Sequence, residues 1–333
     1  SQMNHPQMLN DILSDKRAWH RSTIDDVKSR HYSLSEKCLL ALDTYIQNLR
    51  YYPQSITNIQ IQKPLFDICN ESLQPIVDVL NTGPGFVIVD RIPVEKYTLE
   101  ESRIIYWLIG QYLGHPFAQD IKGTLLYDVK DTGQNVTEGA RFSVTKAESS
   151  FHLDNSFGNT VPDFVGLLCI KVAKSGGQNQ LISAYSIHNE LREQFSPRVL
   201  ETLYQPFYFD RRGQFKMGES STSYNPIFQW DQAELTMRYM YYYIQVGHQR
   251  AGQKVDPNQE KALNIVEMLL RRSDLRVEFS LTPGQMLFTN NHWILHNRTS
   301  FEDYPDPKFK RHYIRLWLQR RTTSRDIPIN SLR

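Results

Sequence analysis

The sequence predicts a mainly β fold, a sandwich or barrel with helical additions, on two observations. From about Thr124 onward the chain breaks into short runs rich in β-branched and aromatic residues, separated by turn signals. Before that point apolar residues recur at helical spacing, which makes the first eighty or so residues an N-terminal helical region.

The clearest early helix begins at the capping-box pattern Ser33-Leu34-Ser35-Glu36, places Cys38, Leu42, Tyr45, Ile46 and Leu49 on one face, and ends at Pro53. The turn Thr82-Gly83-Pro84-Gly85 opens a buried strand, Phe86-Val87-Ile88-Val89. A second amphipathic helix carries Ile105, Leu108, Ile109 and Tyr112 and stops at Gly114. Strands are then expected at Leu125–Val129, Phe164–Val172, Gln180–Ser183, Arg276–Leu281, Met286–Phe288 and Tyr313–Leu318. Helical inserts interrupt them at Ala233 to about Val246 and at Pro257–Arg271. The expected organisation is one domain over 1–333. It comprises a helical extension over 1–80, a core over 81–320 with a helical insert at about 232–272, and a tail over 321–333.

Composition narrows the function. Apolar residues at 40% and charged residues at 22% are the balance of a soluble globular protein. With 38 basic against 36 acidic residues the net charge is +2, which argues against a nucleic-acid binder, because counterion release needs a strong basic stripe. Cys38, Cys69 and Cys169 are widely spaced and in no CxxC arrangement, so a reducing, cytoplasmic location is expected. No stretch approaches the ~18 apolar residues of a membrane span. A homo-oligomer is compatible with the sequence.

Chemistry concentrates in two places. Phe151-His152-Leu153-Asp154 is an H-x-D triplet, and on an extended strand residues i and i+2 face the same side, so imidazole and carboxylate can converge on a cation. The best third ligand is His296, after the strand-like Met286-Leu287-Phe288. Two imidazoles and one carboxylate on one face of an octahedron leave adjacent positions open, the arrangement of oxygen-activating iron(II) enzymes. The second place is Arg311-His312-Tyr313-Ile314-Arg315-Leu316-Trp317-Leu318, which puts Arg311, Tyr313, Arg315 and Trp317 on one face. That face is either solvated or turned into a barrel, where two guanidiniums would need anionic partners.

These motifs resemble the taurine dioxygenase family of the clavaminate synthase-like oxygenases. The pattern runs from Pro84-Gly85-Phe86 through Phe151-His152-Leu153-Asp154-Asn155, Gly176-Gly177 with Leu181-Ile182-Ser183, and Pro283-Gly284-Gln285-Met286-Leu287-Phe288. It closes with Leu295-His296-Asn297-Arg298-Thr299 and Arg311 to Arg315. The resemblance implies a double-stranded β-helix, a cupin-like jelly-roll barrel with helices outside, that couples decarboxylation of 2-oxoglutarate by Fe(II) and O₂ to oxidation of a small amino-acid-like or carboxylate substrate. It puts the metal on His152, Asp154 and His296, the far carboxylate of 2-oxoglutarate on Arg311, and Arg315 nearer the metal or the substrate. Where the family usually has Thr or Ser after the Gly-Gly pair, this chain has Asn179, whose amide also donates a hydrogen bond.

Hydroxylation is the default outcome, and desaturation or cyclisation needs no different ligand set. Asp154 disfavours halogenation, because a carboxylate fills the position a halide needs. The rival reading is a β-barrel metal-binding module without redox activity. Gln119, Arg141, Phe157 and the run Tyr241-Tyr242-Tyr243 are the substrate-side candidates. The polar segment Lys130–Ser150, which leads into the triplet, reads as a substrate-gating lid.

Overall fold

The computed structural model describes residues 7–24, 30–131 and 150–321. The lid expected over Lys130–Ser150 and the candidate Arg141 therefore lie largely or wholly outside the described residues.

Helices form where the sequence supplies both a cap and an apolar face. Glu36–Tyr51 is capped by Ser35, whose hydroxyl accepts from the Cys38 N–H, and it buries Cys38, Leu42 and Ile46. The expected capping box on Ser33 is displaced by two residues, because Ser33 ends a short strand, His31–Ser33, that pairs with Ile88–Asp90. The true capping box here is Thr98 with Glu101, opening Leu99–Leu113. Gly114, where that helix ends and a strand pairs with the C-terminal one, has no room for a side chain, since a Cβ there would stand 2.5 Å from the Gln319 carbonyl oxygen. Between these two helices, Lys63–Thr82 buries Leu65, Phe66, Cys69, Leu73, Ile76 and Leu80.

The main sheet runs in the order His31–Ser33, Phe86–Asp90, Met286–Asn290, Phe164–Lys171, His312–Arg320, Gly114–Pro116, with Tyr127–Val129 also paired to the C-terminal strand. Period-two alternation splits its side chains between two cores. Val87, Val89, Phe164, Leu168, Met286, Phe288, Ile314, Leu316 and Leu318 pack with the N-terminal helices. Phe86, Ile88, Cys169, Leu287 and Tyr313 face the other way, toward the second sheet. At ~1.5–3 kcal/mol for each large apolar side chain buried, these two faces fix the register.

The second sheet is Arg276–Phe279, Asn179–Ser183 and Ile294–Arg298, all antiparallel. Helix Ala184–Gln194 packs on its strand Asn179–Ser183 and against Pro197–Leu203 and Pro257–Leu270, while Tyr241–Ala251 packs on the hairpin of Pro206–Asp210 and Thr222–Pro226; Pro257–Leu270 begins at an Asp256–Gln259 capping box with Pro257 in its first turn.

Two expectations need correction. The insert expected from Ala233 is a helix only over Tyr241–Ala251; Leu235–Met237 is a strand paired with Phe228–Trp230. Asp231 causes this, because its carboxylate accepts from the Ala233 and Glu234 N–H groups and closes a hairpin turn instead of a helix. The balance is also mixed rather than mainly β, since helices Ala184–Gln194 and Pro197–Leu203 were not foreseen. Among the described residues, no helix is long and apolar enough to cross a membrane.

Candidate active site

His152 does not lie in a regular strand. It forms isolated bridges to Met240 and to His296, whose strand, Ile294–Arg298, belongs to the second sheet. The two histidines exchange backbone hydrogen bonds, His152 N–H to the His296 carbonyl at 3.0 Å and His296 N–H to the His152 carbonyl at 2.9 Å. Their rings consequently meet with centroids 4.3 Å apart.

Asp154 enters this pair from a turn. Its backbone is held by one side chain: Asn291 Oδ1 accepts from the Asp154 N–H at 2.8 Å, and Asn291 Nδ2 donates to the Asp154 carbonyl at 3.0 Å. The carboxylate lies 3.0 Å from His296 Nε2 and 3.4 Å from His152 Nε2, and one ligand atom from each of the three residues lies within 4.8 Å of the others. The i, i+2 argument thus reached the right convergence through the wrong local structure.

The protonation states suit a metal. His152 Nδ1 is 2.8 Å from the Ser150 carbonyl, which only accepts, so Nδ1 donates there and Nε2 is the nitrogen turned to Asp154. Burial, then the neighbouring His152, disfavours protonation of His296. Burial also opposes ionisation of Asp154, but Arg315 and the two histidines outweigh it and hold the carboxyl well below the usual range. Trp317 Nε1 donates to Asp154 Oδ2 at 2.9 Å, and Arg315 Nη1 lies 3.5 Å from the same oxygen.

Asp154 and the two histidines line a cavity of about 110 Å³. Along its wall the C-terminal strand contributes Tyr313, Arg315 and Trp317, and Arg311 stands just before it, so the alternating face does turn inward. Arg311 is 3% exposed, stacks 4.0 Å over the Tyr313 ring and 5.1 Å from Phe301, and burial disfavours its charge. Among the described residues its Nη1 has no partner, nor has the buried Nδ2 of Asn179, which lines the same cavity. Arg315 is held differently. Its Nε donates to Gln119 Oε1 at 2.8 Å, its guanidinium rests against Tyr127 and Trp317, and only its Nη2 lacks a partner.

Of the substrate-side candidates, Phe157 lines the cavity beside Tyr243, the one member of the tyrosine run that does. Gln119 does not; it is 1% exposed behind Arg315, bonded to that residue's carbonyl as well as its guanidinium. Sequence reasoning missed Ser150, Asn291 and the cavity-lining Arg298. Asn291 acts on another residue's backbone, and no spacing in the sequence signals such a contact.

Two imidazoles and an ionised carboxylate in one cavity, with buried donors in its wall that have no hydrogen-bond partner among the described residues, fit a mononuclear iron centre with an anionic cosubstrate. That combination defines the class of non-haem iron(II) oxygenases. Residues 50–317 match the model of the family described as taurine catabolism dioxygenase TauD, TfdA family. The chain belongs to this family and is a 2-oxoglutarate-dependent non-haem iron dioxygenase.

Among characterised proteins, FR-33289 synthase of Streptomyces rubellomurinus is 24% identical over 317 residues, covering 94% of this chain and 91% of its own length. Asparagine oxygenase, solved with Fe(II), 3-hydroxyasparagine and succinate, superposes with a TM-score of 0.67 at 16% identity, covering 87% of this chain and 93% of that one. The non-haem iron oxygenase OrfP, solved with Fe and α-ketoglutaric acid, gives 0.65 at 17% identity, covering 87% and 94%.

Proposed function

We propose that His152, Asp154 and His296 hold the iron, that Arg311 with Asn179 receives the far carboxylate of 2-oxoglutarate, and that the substrate is a small amino-acid-like or carboxylate metabolite. The observation that carries this reading is the pairing of a three-ligand cluster with an Arg311 Nη1 that has no hydrogen-bond partner among the described residues, in one cavity. When bound, iron and 2-oxoglutarate supply the oxidising chemistry with O₂, releasing succinate and CO₂.

The chain's own residues supply placement. The Ser150 carbonyl accepts from His152 Nδ1 and leaves Nε2 toward the centre, Arg315 and Trp317 hold Asp154 ionised, and the Tyr313 and Phe301 rings pack on the Arg311 guanidinium at the cavity wall. Arg311 and Arg315 stand four residues apart, ~13 Å on an extended strand, so they serve separate anionic groups. The Nη2 of Arg315, without a hydrogen-bond partner among the described residues, supports an acidic group on the substrate near the metal. Phe157, Met240, Tyr243, Leu167 and Leu287 form the apolar wall against which its carbon skeleton packs. The amino acids named in the structures of asparagine oxygenase and of OrfP, the latter with 3-hydroxyarginine, are consistent with that class.

The same reading makes the two sheets the halves of a double-stranded β-helix and the whole chain one oxygenase domain. The test is succinate formation from 2-oxoglutarate, Fe(II) and O₂ across a panel of amino acids and small carboxylates. Metal-dependent succinate, stimulated by some members of the panel, is expected. No succinate under any condition would overturn the reading.

A further inference from the structure

Asp154 is the one member of the triad whose backbone has no strand partner. His152 and His296 are fixed by each other's main chain, whereas Asp154 follows in a turn. A carboxylate ligand on an unpaired turn needs another restraint, because metal geometry tolerates little displacement.

Asn291 provides it. Its amide satisfies the Asp154 N–H and C=O at 2.8 and 3.0 Å, as a neighbouring strand would, and its Nδ2 reaches the Pro162 carbonyl at 3.2 Å. The residue is fully buried, and its own N–H donates to the Asp163 carbonyl at 2.9 Å. A second layer fixes the Asn290–His292 turn: Asp163 Oδ1 is 2.6 Å from His292 Nε2, and Asn290 Nδ2 donates to Leu80 O and to Glu234 Oε2. Asn291 thus engages only the backbone groups of Asp154, while the carboxylate oxygens meet His296, His152, Trp317 and Arg315.

We propose that Asn291 is a positioning residue for the metal centre: by pairing with both backbone groups of Asp154 it sets the direction from which the carboxylate meets the cation. The inference rests on Asp154 being a metal ligand. Asn291 touches neither metal nor substrate, so its substitution acts on metal binding and leaves the cosubstrate anchor at Arg311 intact.

The experiment is Co(II) titration of the full chain, read by calorimetry and by the ligand-field absorption of the bound ion. It compares the parent with Asp154→Asn, Asn291→Ala, Asn291→Asp and Ser186→Ala. Asn291→Asp is nearly isosteric and keeps the acceptor for the Asp154 N–H, so it serves if the alanine variant does not fold. Ser186→Ala removes a hydrogen bond to the Trp19 carbonyl from an equally buried residue that is bonded to no member of the triad. Outer-shell losses of this kind weaken metal binding about 10–100-fold. Both Asn291 variants are expected to fall in that range with an altered Co(II) spectrum, and Ser186→Ala to match the parent. If Asp154→Asn binds Co(II) as the parent does, the ligand reading fails and this inference with it. If Asp154→Asn weakens binding while folded Asn291 variants keep parental affinity and spectrum, the inference alone fails.

Discussion

His152 and His296 are partners through their main chains before they are partners through their rings. Two reciprocal backbone hydrogen bonds, at 3.0 and 2.9 Å, join the main chains that carry the imidazoles. Pairing of this kind predicts a triad preorganised by folding, unlike small zinc domains whose fold depends on the ion.

Stripping the metal with a chelator should accordingly leave the far-ultraviolet circular dichroism unchanged and lower the melting temperature only by the linkage expected of a bound ligand. Loss of secondary structure on chelation would contradict a preformed site.

Arg311→Ala should raise the 2-oxoglutarate requirement while leaving iron affinity near that of the parent. Leaving the carboxylate unpaired in a cavity costs about 2–5 kcal/mol, so a cosubstrate KM increase of about 30-fold or more is expected. Arg315→Ala should instead disturb Asp154, which it neighbours at 3.5 Å. If Arg315→Ala produced the cosubstrate defect and Arg311→Ala did not, the two roles would be interchanged.

Gly177 shapes the same anchor. Its φ of +72 belongs to the left-handed region, and a Cβ would stand 3.1 Å from Arg311 Nε and 3.3 Å from Phe301 Cβ. Gly177→Ala should therefore cost about 1 kcal/mol or more of stability and raise the 2-oxoglutarate KM several-fold by shifting the guanidinium. An unchanged KM in a measurably destabilised variant would separate the glycine from the anchor.

Much of this was legible in the sequence, for physical reasons. The alternation Arg311, Tyr313, Arg315, Trp317 is a period-two signal that survives folding because Ile314, Leu316 and Leu318 are buried on the opposite face. The cluster of His152, Asp154 and His296 was readable because few side-chain types can ligate a cation. What stayed hidden depends on long-range contacts. Gln119 looked like a pocket residue but is buried behind Arg315, 196 positions away in sequence. Helix Ala184–Gln194 starts directly after the strand Asn179–Ser183, with no side-chain cap to announce it.

A titrating group far from the site gives a separate check on the core. His188 is buried against Tyr204 and Phe228, and desolvation, aided by Arg192, pushes its pKa down to about 3. The Tyr204 hydroxyl accepts from the Leu9 N–H, so its proton is available to donate to His188 Nε2 and favour the neutral ring. Below about pH 6.5 the unfolded chain binds a proton that the folded chain refuses, so this stability is complete above that pH and declines toward about pH 3. One such group contributes a slope near 1.4 kcal/mol per pH unit. In His188→Gln, the pH dependence of unfolding free energy between about pH 6 and 4 should flatten by about that amount. An identical slope in parent and variant would show that His188 is protonated in the fold.

The most direct test of the account is the electron density of anaerobic crystals grown with Fe(II) and 2-oxoglutarate. The account predicts one metal peak about 2.0–2.2 Å from His152 Nε2, His296 Nε2 and an Asp154 carboxylate oxygen, with the far carboxylate of 2-oxoglutarate against Arg311 and Asn179. A metal peak away from these three side chains, or a cosubstrate whose far carboxylate lies on Arg315, would contradict it.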